Sequence, residues 1–237
     1  MALPTNILPI GTIETPFKQK FAIPRQPNLA DARGTITFGD EFADPRAFDD
    51  IENYSHLWLL FYFHETAERG WKPAVKAPRL GGNATTGVFA SRSTHRPNSI
   101  GMSVVKNNGV TVKNGKAILR VSGVDLVSGT PILDIKPYIA YADAISSATD
   151  SITAVAPIPA LTVTLSSQAQ QCCQQLHNDF PDLESLIRAV LAQDPRPAYK
   201  QKLQCDPKTY KVMLYNFDIS WRVTNDGVVV EAIDGTA

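Results

Sequence analysis

Apolar positions come in short bursts up to about residue 141. The run "HLWLLFYFH" (56–64) is apolar, aromatic and brief, as a buried strand should be. "TGVFAS" and "GMSVVK" are shorter bursts of the same kind. "NNG" (107–109) and "KNG" (113–115) read as turns that divide "GMSVV", "VTV" and "AILRVSGV". Such closely spaced strands predict an antiparallel sheet or barrel, with one short helix at "FDDIENY". No βαβ alternation is present, which argues against a doubly wound sheet.

The pattern changes after "SSATDSITAVAPIPA" (146–160), a small, polar, proline-containing stretch that reads as a linker. Beyond it, Leu165, Ala169, Cys172, Cys173 and Leu176 fit one helix face. Leu183, Leu186, Ile187, Val190 and Leu191 fit a second, with Pro181 near its start. Two strands should follow, "YKVMLYNFDISWRV" and "GVVVEAI", joined at "TNDG". The predicted organisation is a mainly β domain over 1–145, the linker, and a smaller α+β domain over 161–237.

Composition narrows the class. The chain has 237 residues, 43% hydrophobic and 19% charged, enough apolar content for a packed core. Its formal net charge is zero, so bulk charge does not announce a nucleic acid, although a local basic face could hold one. Three cysteines, two of them adjacent, make no disulfide framework. "MALPTNILPIG" lacks a basic n-region, and no apolar stretch approaches the roughly 18–20 residues needed to span a bilayer. A cytoplasmic protein with no membrane partner is expected.

Candidate chemistry gathers in loops. "LGGNATTGVFASRSTHRPNSIGMSV" (80–104) combines Gly81 and Gly82, which permit sharp bends, with Arg92 and Arg96, whose planar forks suit carboxylates and phosphates. Asn98 in the same stretch is able to read a base edge. "FAIPRQPN" (21–28) holds Arg25 and Gln26 in a rigid, proline-flanked segment. Either stretch also reads as an ordinary surface loop. "FHE" sets His64 and Glu65 where a strand emerges, and a lone histidine there is equally a structural one. "VDLVSGTPILDIKPY" (124–138) carries Asp125, Asp134, Lys136 and Tyr138, and "DPRPAY" (194–199) places Arg196 between two prolines. No histidine has a companion at metal-ligand spacing, and neither GxGxxG, P-loop, GxSxG nor CxxC occurs. The residues alone support a ligand-binding β-protein with arginine-bearing loops and no particular reaction.

Taken together and in order, "PRQP", "SHLWLLFYFHE", "PRLGGNATTGVFASRSTHRPNSIGMS", "DLVSGTPILDIKPY" and "AQDPRPAY" resemble the TrmO (YaeB, TsaA-like) family of tRNA methyltransferases over nearly the whole chain. The resemblance implies an S-adenosylmethionine-dependent β-barrel enzyme, active as a homodimer, that methylates N6 of threonylcarbamoyladenosine at tRNA position 37, beside the anticodon. It implies cofactor contacts from Pro24, Arg25, Gln26, His64, Glu65, Arg92, Met102, Asp125, Leu126, Val127 and Ser128. Glu65 stands where the family commonly has glutamine, and Ser128 where it commonly has aspartate. N6 must lose a proton, and His64, Asp134 and Tyr138 are the candidates to take it. Arg96, Asn98, Lys136, Arg196 and Tyr199 are candidates for the substrate, an arginine clamping its threonyl carboxylate. The C-terminal domain, with "DPRPAY" and Lys200, Lys202, Lys208 and Lys211, is expected to hold the anticodon arm. A non-catalytic RNA-binding barrel and a small-molecule methyltransferase are the alternatives.

Overall fold

A computed structural model describes residues 7–76, 85–150 and 160–235. Six antiparallel strands close a barrel in the order β1 (Gly11–Glu14), β2 (Arg33–Phe38), β7 (Lys116–Ser122), β6 (Ile100–Lys113), β3 (His56–Tyr62) and β8 (Thr130–Pro137). Alternation along β3 decides which residues face inward: Leu57, Leu59 and Phe61 are buried inside, while His56, Trp58 and Leu60 take the outer side. Ile13, Ile36, Val105, Leu119 and Ile132 complete the filling. A short ribbon, β4 (Ala74–Lys76) with β5 (Thr85–Gly87), stands outside the barrel.

The second unit is a four-stranded sheet ordered β10 (Asp206–Leu214), β11 (Phe217–Thr224), β12 (Gly227–Gly235) and β9 (Val163–Leu165). Helices α3 (Ser167–Gln175) and α4 (Leu183–Ala192) pack on it. The earlier helices are single turns, α1 (His64–Ala67) and α2 (Ala140–Asp143), and α5 (Ala198–Gln201) is another. The two units are spliced through the segment before β2. Phe17, 1% exposed, bridges to Leu214, the Tyr215 N–H donates to the Pro16 carbonyl at 2.8 Å, and the Gln193 amide reaches the Leu29 carbonyl at 3.2 Å.

Several local expectations are corrected. "NNG" is no turn: β6 runs through it with a bulge between Asn107 and Val110, because the Asn107 amide is held by the Ile51 and Tyr54 carbonyls. "TGVFAS" leaves its strand at Gly87 for a 3-10 turn, and "FDDIENY" forms 3-10 turns interrupted by left-handed Asp50. Leu165 belongs to β9, which pairs in parallel with β12, rather than to the following helix. "YKVMLYNFDISWRV" is two strands, reversed at Tyr215 with φ of 55°. Gly81, Gly82 and most of the 146–160 stretch lie outside the described residues.

Candidate active site

One rim of the barrel carries a cleft of about 570 Å³, within the range of small-molecule sites. Its walls come from segments far apart in sequence. Pro24, Arg25 and Gln26 arrive from the segment before β2, and His64 and Glu65 from the end of β3. Arg92 and Arg96 arrive from the turn before β6, Met102 and Ser103 from β6 itself, and Asp125, Leu126 and Val127 from the loop after β7.

Local chemistry fixes each wall. The Asn28 side chain donates to the Val104 carbonyl at 3.1 Å and its N–H to the Gly123 carbonyl at 2.9 Å, which pins the "PRQP" segment to the barrel. Gly123 must be glycine, since its φ is 79° and a Cβ there would lie 2.1 Å from Asn28 Oδ1. Gly101 is needed for another reason: the Phe61 ring lies over it, 2.3 Å from where a Cβ would sit. Phe61 in turn stacks edge-on against Phe63 at 5.2 Å, an apolar floor below the polar groups.

The polar groups are cross-linked. Arg92 Nη1 donates to Gln26 Oε1, joining two motif segments. Ser103 Oγ donates to Asp125 Oδ1 at 2.7 Å. Burial raises the Asp125 carboxyl to about 6, offset in part by the Ser103 hydrogen bond, its own backbone N–H and the charge of Arg92. Glu65 pairs with Lys20 at 3.1 Å, so an adjacent ammonium compensates the charge that this chain carries in place of glutamine. Ser128 stands just outside the cleft, where its hydroxyl accepts from Lys18 Nζ at 3.2 Å and the Thr15 N–H at 3.3 Å. Four cations (Lys20, Arg25, Arg92, Arg96) and two carboxylates (Glu65, Asp125) line the cleft, a balance that favours an anionic guest.

Not every candidate converges. Arg96 lines the cleft, but its Nη1 is spent on the Ser91 carbonyl at 2.6 Å and the Val88 carbonyl at 3.3 Å. Asn98, in a left-handed turn with φ of 63°, does not line it. Asp134 and Lys136 pair with each other at 3.2 Å outside it, and Tyr138 packs against Trp58 at 5.6 Å. By their register on β8, Lys136 and Asp134 stand opposite Trp58 and Leu60, one strand beyond the Trp58 that lines the cleft. Arg196 is 2% exposed, its Nε and Nη2 on the Asp194 carboxylate at 2.7 and 2.8 Å, with Nη1 and Nη2 also on the Leu203 carbonyl at 3.3 Å. It is a buried structural residue that does not line the cleft. Tyr199 is 72% exposed on α5, away from the cleft. Sequence reasoning missed Lys20, Asn28 and Ser103, whose partners lie 45 to 76 and 22 residues away.

Two family models account for nearly all of the chain: the tRNA-methyltransferase O N-terminal domain matches residues 12–144, and the TrmO C-terminal domain matches 158–236. The chain belongs to the tRNA-methyltransferase O family. The tRNA (adenine(37)-N6)-methyltransferase of Escherichia coli is 45% identical over 226 residues, which is 95% of this chain and 96% of that one. RcsF of Pseudomonas aeruginosa, named as an S-adenosylmethionine-dependent methyltransferase, is 46% identical over 91% of each chain. A crystal structure of TrmO from Pseudomonas aeruginosa superposes with a TM-score of 0.81 at 38% identity, over 98% of this chain and 99% of that one. The barrel therefore accounts for the first family domain, and the helix-covered sheet for the second.

Proposed function

We propose that the protein is an S-adenosylmethionine-dependent tRNA methyltransferase acting on N6 of the adenosine at position 37, in its threonylcarbamoyl form. One observation carries the reading: the "PRQP" segment, His64, Arg92 and Asp125 converge on a single cleft from four separate segments. The donor set suits the cofactor. The Glu65 carboxylate suits its ammonium, Arg92 with Gln26 suits its carboxylate, and Phe63, Leu126 and Met102 give an apolar wall. When bound, S-adenosylmethionine supplies a methyl group on a cationic sulfur.

The chain's own residues do the rest. Pinning of the "PRQP" segment by Asn28 holds both reactants in register, and effective molarity from such positioning lowers a barrier by roughly 7–11 kcal/mol. Asp125 holds the proton that N6 gives up. Raised to about 6, its carboxyl is ionised at neutral pH yet more basic than an ordinary aspartate, and Ser103 orients it. His64 lines the same cleft. Surplus cations support a substrate that carries its own carboxylate. A homodimer completes the reading, supported by exposed apolar side chains at Tyr141 and Ile145.

The test is nucleoside mass spectrometry of tRNA incubated with the protein and methyl-labelled cofactor. Label is expected on threonylcarbamoyladenosine. Label confined to another nucleoside, or none on tRNA, overturns the reading.

A further inference from the structure

The C-terminal unit pairs several of its cations, while among the described residues Lys202 and Lys208 have no carboxylate partner. Lys200 meets Asp206 at 3.4 Å, Lys211 meets Asp218 at 2.8 Å, Arg222 meets Glu231 at 2.9 Å, and Lys208 lies over the Tyr210 ring. One face of the barrel does the opposite. Strand register puts Arg33 (β2), Ser122 (β7), Lys106 (β6) and His56 (β3) in one cross-strand row, so their side chains share the outer face. Arg120 lies two residues along β7 from Ser122, on that same face, opposite Thr35. Lys106 and Arg120 are exposed, and among the described residues neither has an ion-pair partner. Arg33 reaches only Asp182, at 3.8 Å, with its side chain 61% exposed.

These cations are close. Arg33 and Lys106 are two strands apart, about 9.6 Å, and Arg120 is about 7 Å along its strand from their row. Such separations are comparable to the Debye length of about 8 Å at physiological salt, so the charges repel one another, offset in part by exposed Glu14, which stands in one row with Thr35 and Arg120. Between them stands half-buried Thr35, a small hydroxyl residue of the kind that contacts phosphates, with Ser122 buried beneath the row, and no large apolar anchor of the kind that marks a protein interface. The face is also continuous with the cleft. Val104 precedes Lys106 on the outer side of β6, and Val104 and Trp58, paired across β6 and β3, both line the cleft.

We infer that Lys106, Arg120 and Arg33 form a phosphate-contacting track on the barrel, along which the RNA strand flanking the target base leaves the cleft. The inference rests on the reading of the substrate as RNA. It moves the principal cationic contact from the C-terminal sheet to the barrel.

The experiment is equilibrium binding of a tRNA anticodon-arm RNA by fluorescence anisotropy across a salt series, without cofactor. For the double variant K106E/R120E the expected result is at least tenfold weaker binding, with a salt slope shallower by about 1.4–1.8, at roughly 0.7–0.9 per lost phosphate contact. The tail variant K208E/K211E is expected to lose much less. Unchanged affinity and slope in K106E/R120E, or a larger loss in the tail variant, overturns the track. Thermal melts and cofactor calorimetry check the fold, and K106Q/R120Q replaces the double reversal if that does not fold. Methyl transfer to tRNA is measured separately. Charge-dependent binding with no methyl transfer sinks the functional reading and leaves the track, whereas methyl transfer with wild-type binding by the double variant sinks the track alone.

Discussion

Two arginines sit beside prolines in nearly the same words, "PRQP" and "DPRP", and the fold treats them in opposite ways. Arg25 is exposed at the cleft, in a segment held down by buried Pro24 and by Asn28. Arg196 is buried, locked by a carboxylate two residues earlier. Around it the tail buries more charge: Asp206 is 2% exposed and accepts from the Tyr210 hydroxyl at 2.8 Å. The prolines stiffen both segments alike. The difference is burial: Asp194 locks its arginine inside the fold, while the barrel segment leaves its arginine exposed at a ligand-sized space.

Removing the counter-charge is the most damaging way to test that contrast. Asp194→Ala strands a buried guanidinium, and chemical denaturation should show a loss of about 3–5 kcal/mol. A loss below about 1 kcal/mol would place the pair among ordinary surface contacts. The barrel offers the reverse case. Asp125 binds its proton more tightly folded than unfolded, so its contribution to stability is present at low pH and falls as pH rises towards about 6. Asp125→Asn should therefore be more stable than wild type above pH 6, by up to about 3 kcal/mol, and no more stable near pH 4. Wild type is expected to methylate faster as pH rises to about 6, and the same substitution should abolish that rise. Paired pH series of melts and single-turnover rates read both effects.

Smaller losses are expected where a group serves the ligand alone. Arg92→Ala should weaken S-adenosylmethionine binding by about 1.5–3 kcal/mol in calorimetry while leaving the melting temperature nearly unchanged. Equal affinity in a folded variant would remove Arg92 from the site. Least of all, Lys20→Ala breaks an exposed pair with Glu65 and should cost at most about 1 kcal/mol of stability, less at high salt. A larger cost would mean that the pair fastens the cleft wall.

What the sequence revealed follows a physical line. Strands with their own hairpin signal were legible, as at "KNG", where Asn114 and Gly115 take φ of 53° and 75°. Features set by distant partners were not. Tyr215 reverses the chain because its hydroxyl donates to Asp182 at 2.7 Å and its N–H to Pro16, neither of which is near it in sequence. The cleft behaves likewise. Its arginines and "FHE" stood out by residue type and by resemblance, but which carboxylate joins them depended on the folded arrangement: Asp134 pairs with Lys136 outside the cleft, and Asp125 lines it. Arg196 misled because burial cannot be read from a proline-rich word.

Barrel closure has a consequence for synthesis. β1 pairs with β8, Gly11 opposite Ile132, so the first barrel strand to be made waits for a partner translated 121 residues later. At about 5–20 residues per second, that is a delay of roughly 6–24 s. Until then Ile13, wholly buried in the finished barrel, has no closed interior to enter. A strand of only four residues offers little edge for stray pairing during the wait. The earliest barrel strand off the ribosome gains β2 early, but its other edge is among the last to be covered, and its brevity is its protection.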